Sequence, residues 1–210
     1  KRQLGCGLNL YPPLITGTAH SRTRINQIDI DIITASAVNA MDGKVLVVYA
    51  SRTGYTAGVA ERIASTLVVG GLVVDVLPVR EVRDASAYQA YVVGSAIQGS
   101  AWLPEAIQFL RKNQTVLTQR PVVIFQVCMT LAMRDGDRFQ SYVSTFMNPV
   151  RVLIHPIAEA SFAGGLDIQK VPSLADRIKF KLSVIMGVWR EGDHRDWKAI
   201  DGWAADVYRK

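Results

Sequence analysis

Six consecutive residues, Ser51-Arg52-Thr53-Gly54-Tyr55-Thr56, place three aliphatic hydroxyls, a guanidinium and a glycine directly behind the apolar run Val45-Leu46-Val47-Val48-Tyr49-Ala50. A helical pattern follows at once. The first N–H groups of a helix have no intrahelical partner, and the helix dipole makes that end positive. Ser51, Thr53 and Thr56 each add an O–H donor, and Gly54 allows close backbone approach or a positive φ. The combination favours an anion with several acceptor oxygens. GxxxxGK[ST] is absent, and no GxGxxG follows the run, so neither a triphosphate loop nor a dinucleotide turn is encoded. A phosphate monoester fits what is left. An ordinary Ser or Thr cap accounts for one hydroxyl here, but not for three.

The flanking elements decide where such a loop can sit. Lys44 to Ala50 is a continuous apolar run, suited to a strand buried on both faces. Val59, Ile63 and Leu67, with Ala60, Ala64 and Val68 beside them, form the apolar stripe of a helix. Gly70-Gly71 then ends it. Further strands are expected at Leu72–Leu77, Tyr91–Gly94, Pro121–Val127 and Ile157–Ala163. Leu103, Ala106, Ile107 and Leu110 mark a helix with Pro104 in its first turn, and two more helical patterns close the chain. Strands alternating with helices predict an α/β fold with a parallel sheet covered on both faces. Ligands then bind beyond the carboxyl ends of the strands, on the loops after the first, third and fourth.

The stretch Val47-Val48-Tyr49-Ala50-Ser51-Arg52-Thr53-Gly54-Tyr55-Thr56, followed by Ala60 and Ile63, resembles the flavodoxin signature. The resemblance implies a flavodoxin-like three-layer sandwich with five parallel strands in the order 2-1-3-4-5. It implies non-covalent FMN, with its phosphate wrapped by Ser51, Arg52, Thr53, Gly54, Tyr55 and Thr56. It also assigns Ser95, Ala96, Ile97, Gln98 and Gly99 to the isoalloxazine, and Gln126, Val127, Cys128 and Met129 to the opposite flavin-side loop. Trp102 has two readings: a stacking partner for the ring or a core residue where its helix begins. Cys128 reads first as a small buried hydrophobe and second as a redox-active thiol. The tyrosine that many flavodoxins set against the flavin is missing after the fourth strand.

A second resemblance covers Lys44 to Val207. Phe162-Ala163-Gly164-Gly165-Leu166, Asp176-Arg177-Ile178-Lys179-Phe180-Lys181-Leu182 and Asp196-Trp197 are similar to the menaquinone-dependent protoporphyrinogen IX dehydrogenases. That family implies an FMN oxidoreductase of haem biosynthesis, with a porphyrinogen substrate and a quinone acceptor. Gln98-Gly99 stands where that family commonly has a basic and aromatic pair. A flavodoxin-type electron carrier that docks on a redox-partner protein is the rival; carriers of that kind are often acidic, whereas this chain has a formal charge of +6. A third reading keeps the fold as a binding module without flavin. No residue is assigned a catalytic role.

On a helical wheel Leu174, Ile178, Leu182, Ile185, Met186 and Trp189 share one face, while Phe180, Val184 and Val188 lie opposite. A helix apolar on both sides is either sandwiched or offers one side outward. With Arg and Lys at its edges, 174–189 fits peripheral contact with a membrane interface, where quinones reside. The long loop before it, or residues 1–40, is the other candidate cover. Residues 1–40 read as an extension, mostly disordered, with one short alternation at Ile28–Ile32; the flavodoxin-like domain is 41–210. Two cysteines without a CxxC pair fit a reducing cytoplasm, and the histidines have no metal-ligand spacing. No stretch spans a bilayer, and no basic, aromatic-interleaved stripe points to nucleic acid.

Overall fold

The computed structural model describes residues 43–209, apart from Arg134 and Pro172. They belong to a unit spanning Asn39–Lys210. The expected extension at 1–40 lies outside the described residues.

The chain runs from β1 (Val45–Ala50) into α1 (Tyr55–Val69), then β2 (Val74–Pro78) and β3 (Ala90–Gln98). Strand β4 (Ala101–Trp102) returns along β3 and leads into α2 (Pro104–Lys112). Next come β5 (Val122–Cys128), α3 (Asn148–Ile154) and β6 (Ala158–Ala163). The last part holds β7 (Gly165–Leu166), α4 (Leu174–Ile185), β8 (Gly192–Asp193) and α5 (Trp197–Tyr208). The five long strands are parallel and adjacent in the order β2-β1-β3-β5-β6. Counted along the chain without β4, this is the expected 2-1-3-4-5.

Strand β1 shows why the apolar runs carry no polar alternation. Leu46 and Val48 enter one core with Leu103, Leu110, Val150 and Ile154 of the α2 and α3 layer. Val45 and Val47 enter a second core with Ile63, Leu67, Ile200 and Ala204 of α1 and α5. Both faces of the strand are therefore dry. Helix α1 ends where expected, with Gly71 at φ +99°. Helix α5 begins at Asp196, whose carboxylate accepts from the Ala199 N–H at 3.0 Å. Two hydrogen bonds of 2.6 Å from Arg62 to Asp201 bind α5 to α1.

At the outer strand, Asp75 of β2 accepts from Lys44 at 2.6 Å and from the Tyr88 hydroxyl at 2.8 Å. Burial, and after it the bond to Asp75, pushes the Tyr88 phenol up to about 12 from an ordinary 10.0. The fold thus favours the neutral phenol. Its contribution is complete below the unfolded value and is lost as pH rises through the folded one. Chemical unfolding measured between pH ~9 and ~12 should show stability falling over that window, and Tyr88→Phe should flatten the fall. An equally steep fall in the variant would remove Tyr88 from the account.

Candidate functional site

The carboxyl ends of β1, β3, β5 and β6 converge on one cleft of about 310 Å³, within the ~300–1,000 Å³ of ligand sites. Arg52, Thr53, Tyr55 and Thr56 form one end of it. Ala96, Ile97 and Gln98 of β3 and Val127 and Met129 at the end of β5 form the walls.

At the first end, Gly54 takes φ +89° and starts α1 with no side-chain cap. The Ser51 hydroxyl accepts from the Gly54 N–H at 3.1 Å, closing the turn. The opening amides of α1 are therefore left without a capping side chain. Thr56 is 1 % exposed and lines the cleft. Its hydroxyl bonds to none of the described residues, and the residue forms part of the cleft wall.

Arg52 is committed elsewhere. It forms a two-pronged pair with Glu105 in the first turn of α2, the Nη2 bond measuring 3.0 Å. Burial raises the Glu105 carboxyl, but hydrogen bonds from its own amide and from Arg52 outweigh this and hold it below the ordinary range. Tyr55 is clamped from behind. Arg195 stands between its ring and that of Trp197, at 5.0 and 4.3 Å from the centroids, and donates to the Tyr55 carbonyl at 3.2 Å. Asp193 anchors that guanidinium, whose hydrogen bond depresses the Asp193 pKa.

Four predicted site residues lie in the core instead of on the cleft wall. The Ser95 hydroxyl accepts from the Leu103 N–H at 3.0 Å and donates to the Ala96 carbonyl at 2.8 Å. Trp102 donates to Gln126 at 3.1 Å, and Gln126 donates in turn to the Val143 carbonyl and the Ser161 hydroxyl at 2.7 and 2.9 Å. All three side chains are buried and satisfied. Cys128 packs with Val143 and Phe146. Gly99 serves a turn: with Ser100 it has positive φ, 58° and 61°, joining β3 to β4 as a two-residue hairpin requires.

Sequence reasoning missed the fourth side of the cleft. Gly164, Gly165, Leu166 and Asp167 after β6, then Val171, Ser173, Asp176 and Phe180, complete it. The rule that places ligands at strand ends applies to the fifth strand as well as to the first, third and fourth. Gly165 is needed there: a Cβ would stand 2.1 Å from the Tyr55 ring. A second hollow, about 370 Å³ and lined by Gln140, Ser144, Glu159 and Ser161, lies along the edge strand β6. Its carboxylate is already paired with Arg151 at 2.9 Å.

A doubly wound sheet in the 2-1-3-4-5 order, with an uncapped helix start opening on a strand-end cleft, defines the flavodoxin-like class of α/β domain. The chain belongs to the flavodoxin domain family, whose model matches residues 46–195. Similar solved structures include a flavodoxin from the domain Archaea, 16% identical over 80% of this chain and 99% of that one, TM-score 0.43. The flavodoxin of Streptococcus pneumonia TIGR4 is 18% identical over 79% of this chain and 98% of its own, TM-score 0.48. A Fusobacterium nucleatum flavodoxin variant bound to flavin mononucleotide is 15% identical over 59% and 71%, TM-score 0.39. No curated protein sequence matches the chain.

Proposed function

We propose that the cleft binds FMN and that the domain passes electrons through it. The observation that carries this reading is Thr56: a buried residue on the cleft wall whose hydroxyl has no partner among the described residues, set on the uncapped start of a 15-residue helix. Thr53 lines the same end. Two hydroxyls and the free amides of α1 suit a phosphate monoester. The rest of the cleft suits a flat, largely apolar ring. Ala96 is small enough for close approach, while Ile97, Leu103, Val127 and Met129 supply apolar and polarisable surface. When bound, FMN supplies the redox chemistry; the protein supplies position, electrostatics and exclusion of water.

In this reading Ser51 holds the turn, Thr53 and Thr56 orient the phosphate, and Ile97 and Met129 keep water from the ring. Arg52, held by Glu105, neutralises charge from the side instead of gripping oxygen. Ser95, Trp102 and Gln126 brace the walls from within the core. Cys128 lies behind the β5 loop as packing.

Two finer roles fit the family. One is a carrier that meets a redox-partner protein at the cleft mouth. The other is an enzyme with its own substrate, oxidising protoporphyrinogen IX and reducing a quinone. Leu166, Val171 and Phe180 add apolar lining to the cleft, which favours the second, because an apolar reactant needs such a surface. The first test is the visible absorption of the purified chain, which should show flavin at one FMN per chain. A colourless chain that fails to take up added FMN would overturn the proposal. Anaerobic reoxidation of the reduced chain by menaquinone, with protoporphyrinogen as donor, supports the enzyme; exchange only with partner proteins supports the carrier.

A further inference from the structure

Among the described residues, nothing covers a large apolar arc of helix α4. Leu174, Ile178, Leu182 and Ile185, with Met186 at its end, are between 54 and 73 % exposed. At helical spacing these five share one side, bordered by Arg177 and Lys181 on one edge and Lys179 on the other. The opposite side turns inward, with Asp176 and Phe180 lining the cleft. No residue of the helix is fully buried, so the arc lies on an element that packs only along its back.

Charge and chemistry narrow the occupant. On α4 itself the chain has three cations, Arg177, Lys179 and Lys181, against one carboxylate, Asp176, which pairs with Lys179 at 3.3 Å. The arc contains only aliphatic and thioether side chains, with no hydrogen-bonding group inside it to fix the register of a protein partner. A lipid surface needs no register. It accepts an apolar arc lying in its plane, with basic edges reaching the phosphates. No helix among the described residues is long and apolar enough to cross a membrane, so contact would be along the surface.

We propose that α4 is an interfacial helix that docks the domain on an anionic bilayer. Its inner side walls the cleft, so docking would set the cleft mouth beside the lipid, where an apolar electron acceptor dissolves. That last consequence rests on the flavin reading; the docking does not.

The test is flotation of the full chain with phosphatidylcholine vesicles, with and without phosphatidylglycerol. The chain should float with the anionic vesicles, less so as salt rises, and scarcely with the neutral ones. Ile178→Glu with Leu182→Glu should abolish flotation. Lys179→Glu with Lys181→Glu should lower it at least about tenfold. None of the four residues lines the cleft, so the helical circular dichroism and melting of both variants should match the parent chain, as should any FMN affinity. Failure of the parent chain to float on anionic vesicles would overturn the proposal and leave the flavin reading intact. So would a parent chain that is a dimer by sedimentation equilibrium and becomes monomeric in the Ile178/Leu182 variant, since a second copy would then cover the arc.

Discussion

Thr53→Ala combined with Thr56→Val weakens FMN binding by about 3 kcal/mol or more, a loss beyond roughly a hundredfold. Each hydrogen bond to a charged group is worth ~1.5–3 kcal/mol, and ~1.4 kcal/mol is a factor of ten in affinity. Valine keeps the shape of the buried Thr56 side chain, which is 1 % exposed, so no cavity confuses the result. Neither hydroxyl holds the turn, because Ser51 closes it through the Gly54 N–H at 3.1 Å. The helix start and its free amides should survive. Flavin fluorescence titration checks the number, and riboflavin supplies the internal control. Lacking the phosphate, riboflavin should bind the parent and the double variant alike. An equal loss for both ligands would mean that the threonines act through packing, and an unchanged FMN affinity would place the phosphate elsewhere.

The legible parts of this molecule were those encoded within a few residues. The valine-rich runs and 3.6-residue stripes predicted the alternation of strand and helix, because burial on both sheet faces removes polar residues from the strands. Asp196 starts α5 by one local bond, to an N–H three residues on. Ser51 to Thr56 pointed to an anion because hydroxyls and glycine at a helix start have few other uses. Trp102, by contrast, could not be placed from its neighbours. Its partner Gln126 is 24 positions away, and the β4–β3 and β3–β5 pairings bring them together. Gly99-Ser100 was a readable hairpin turn, but its small residues also fitted a flavin loop. Helix α4 had both apolar faces visible in the sequence. Which one packs inward depends on where β6 and the β7 turn deliver the chain, and no local signal holds that.

Gly94→Ala should destabilise the fold by about 1–3 kcal/mol, the range for overpacking a dry core. The sign is what makes the experiment decisive. Glycine inside a strand is worse than alanine by ~0.5–1 kcal/mol in conformational entropy, so a spacious site would be stabilised by the change. Gly94 is paired with Tyr49 on one side and Phe125 on the other. A Cβ there would lie 2.0 Å from the tip of the Phe125 ring. That ring is fully buried and hemmed in by Phe162 and Trp203, with centroids 6.4 and 6.5 Å away, so it has nowhere to swing. Chemical denaturation of Gly94→Ala, Phe125→Leu and the pair should therefore be non-additive by ~0.5–3 kcal/mol, since the smaller side chain makes room for the added methyl. The cleft is coupled to the same contact. Beyond Gly94, β3 carries Ala96, Ile97 and Gln98, while beyond Phe125, β5 carries Val127 and leads into Met129. Forcing the two strands apart moves both walls, so FMN affinity should fall with Gly94→Ala and recover with Phe125→Leu added. A Gly94→Ala chain more stable than the parent would show that the ring yields freely, and that the spacing of the walls is set by something other than this glycine.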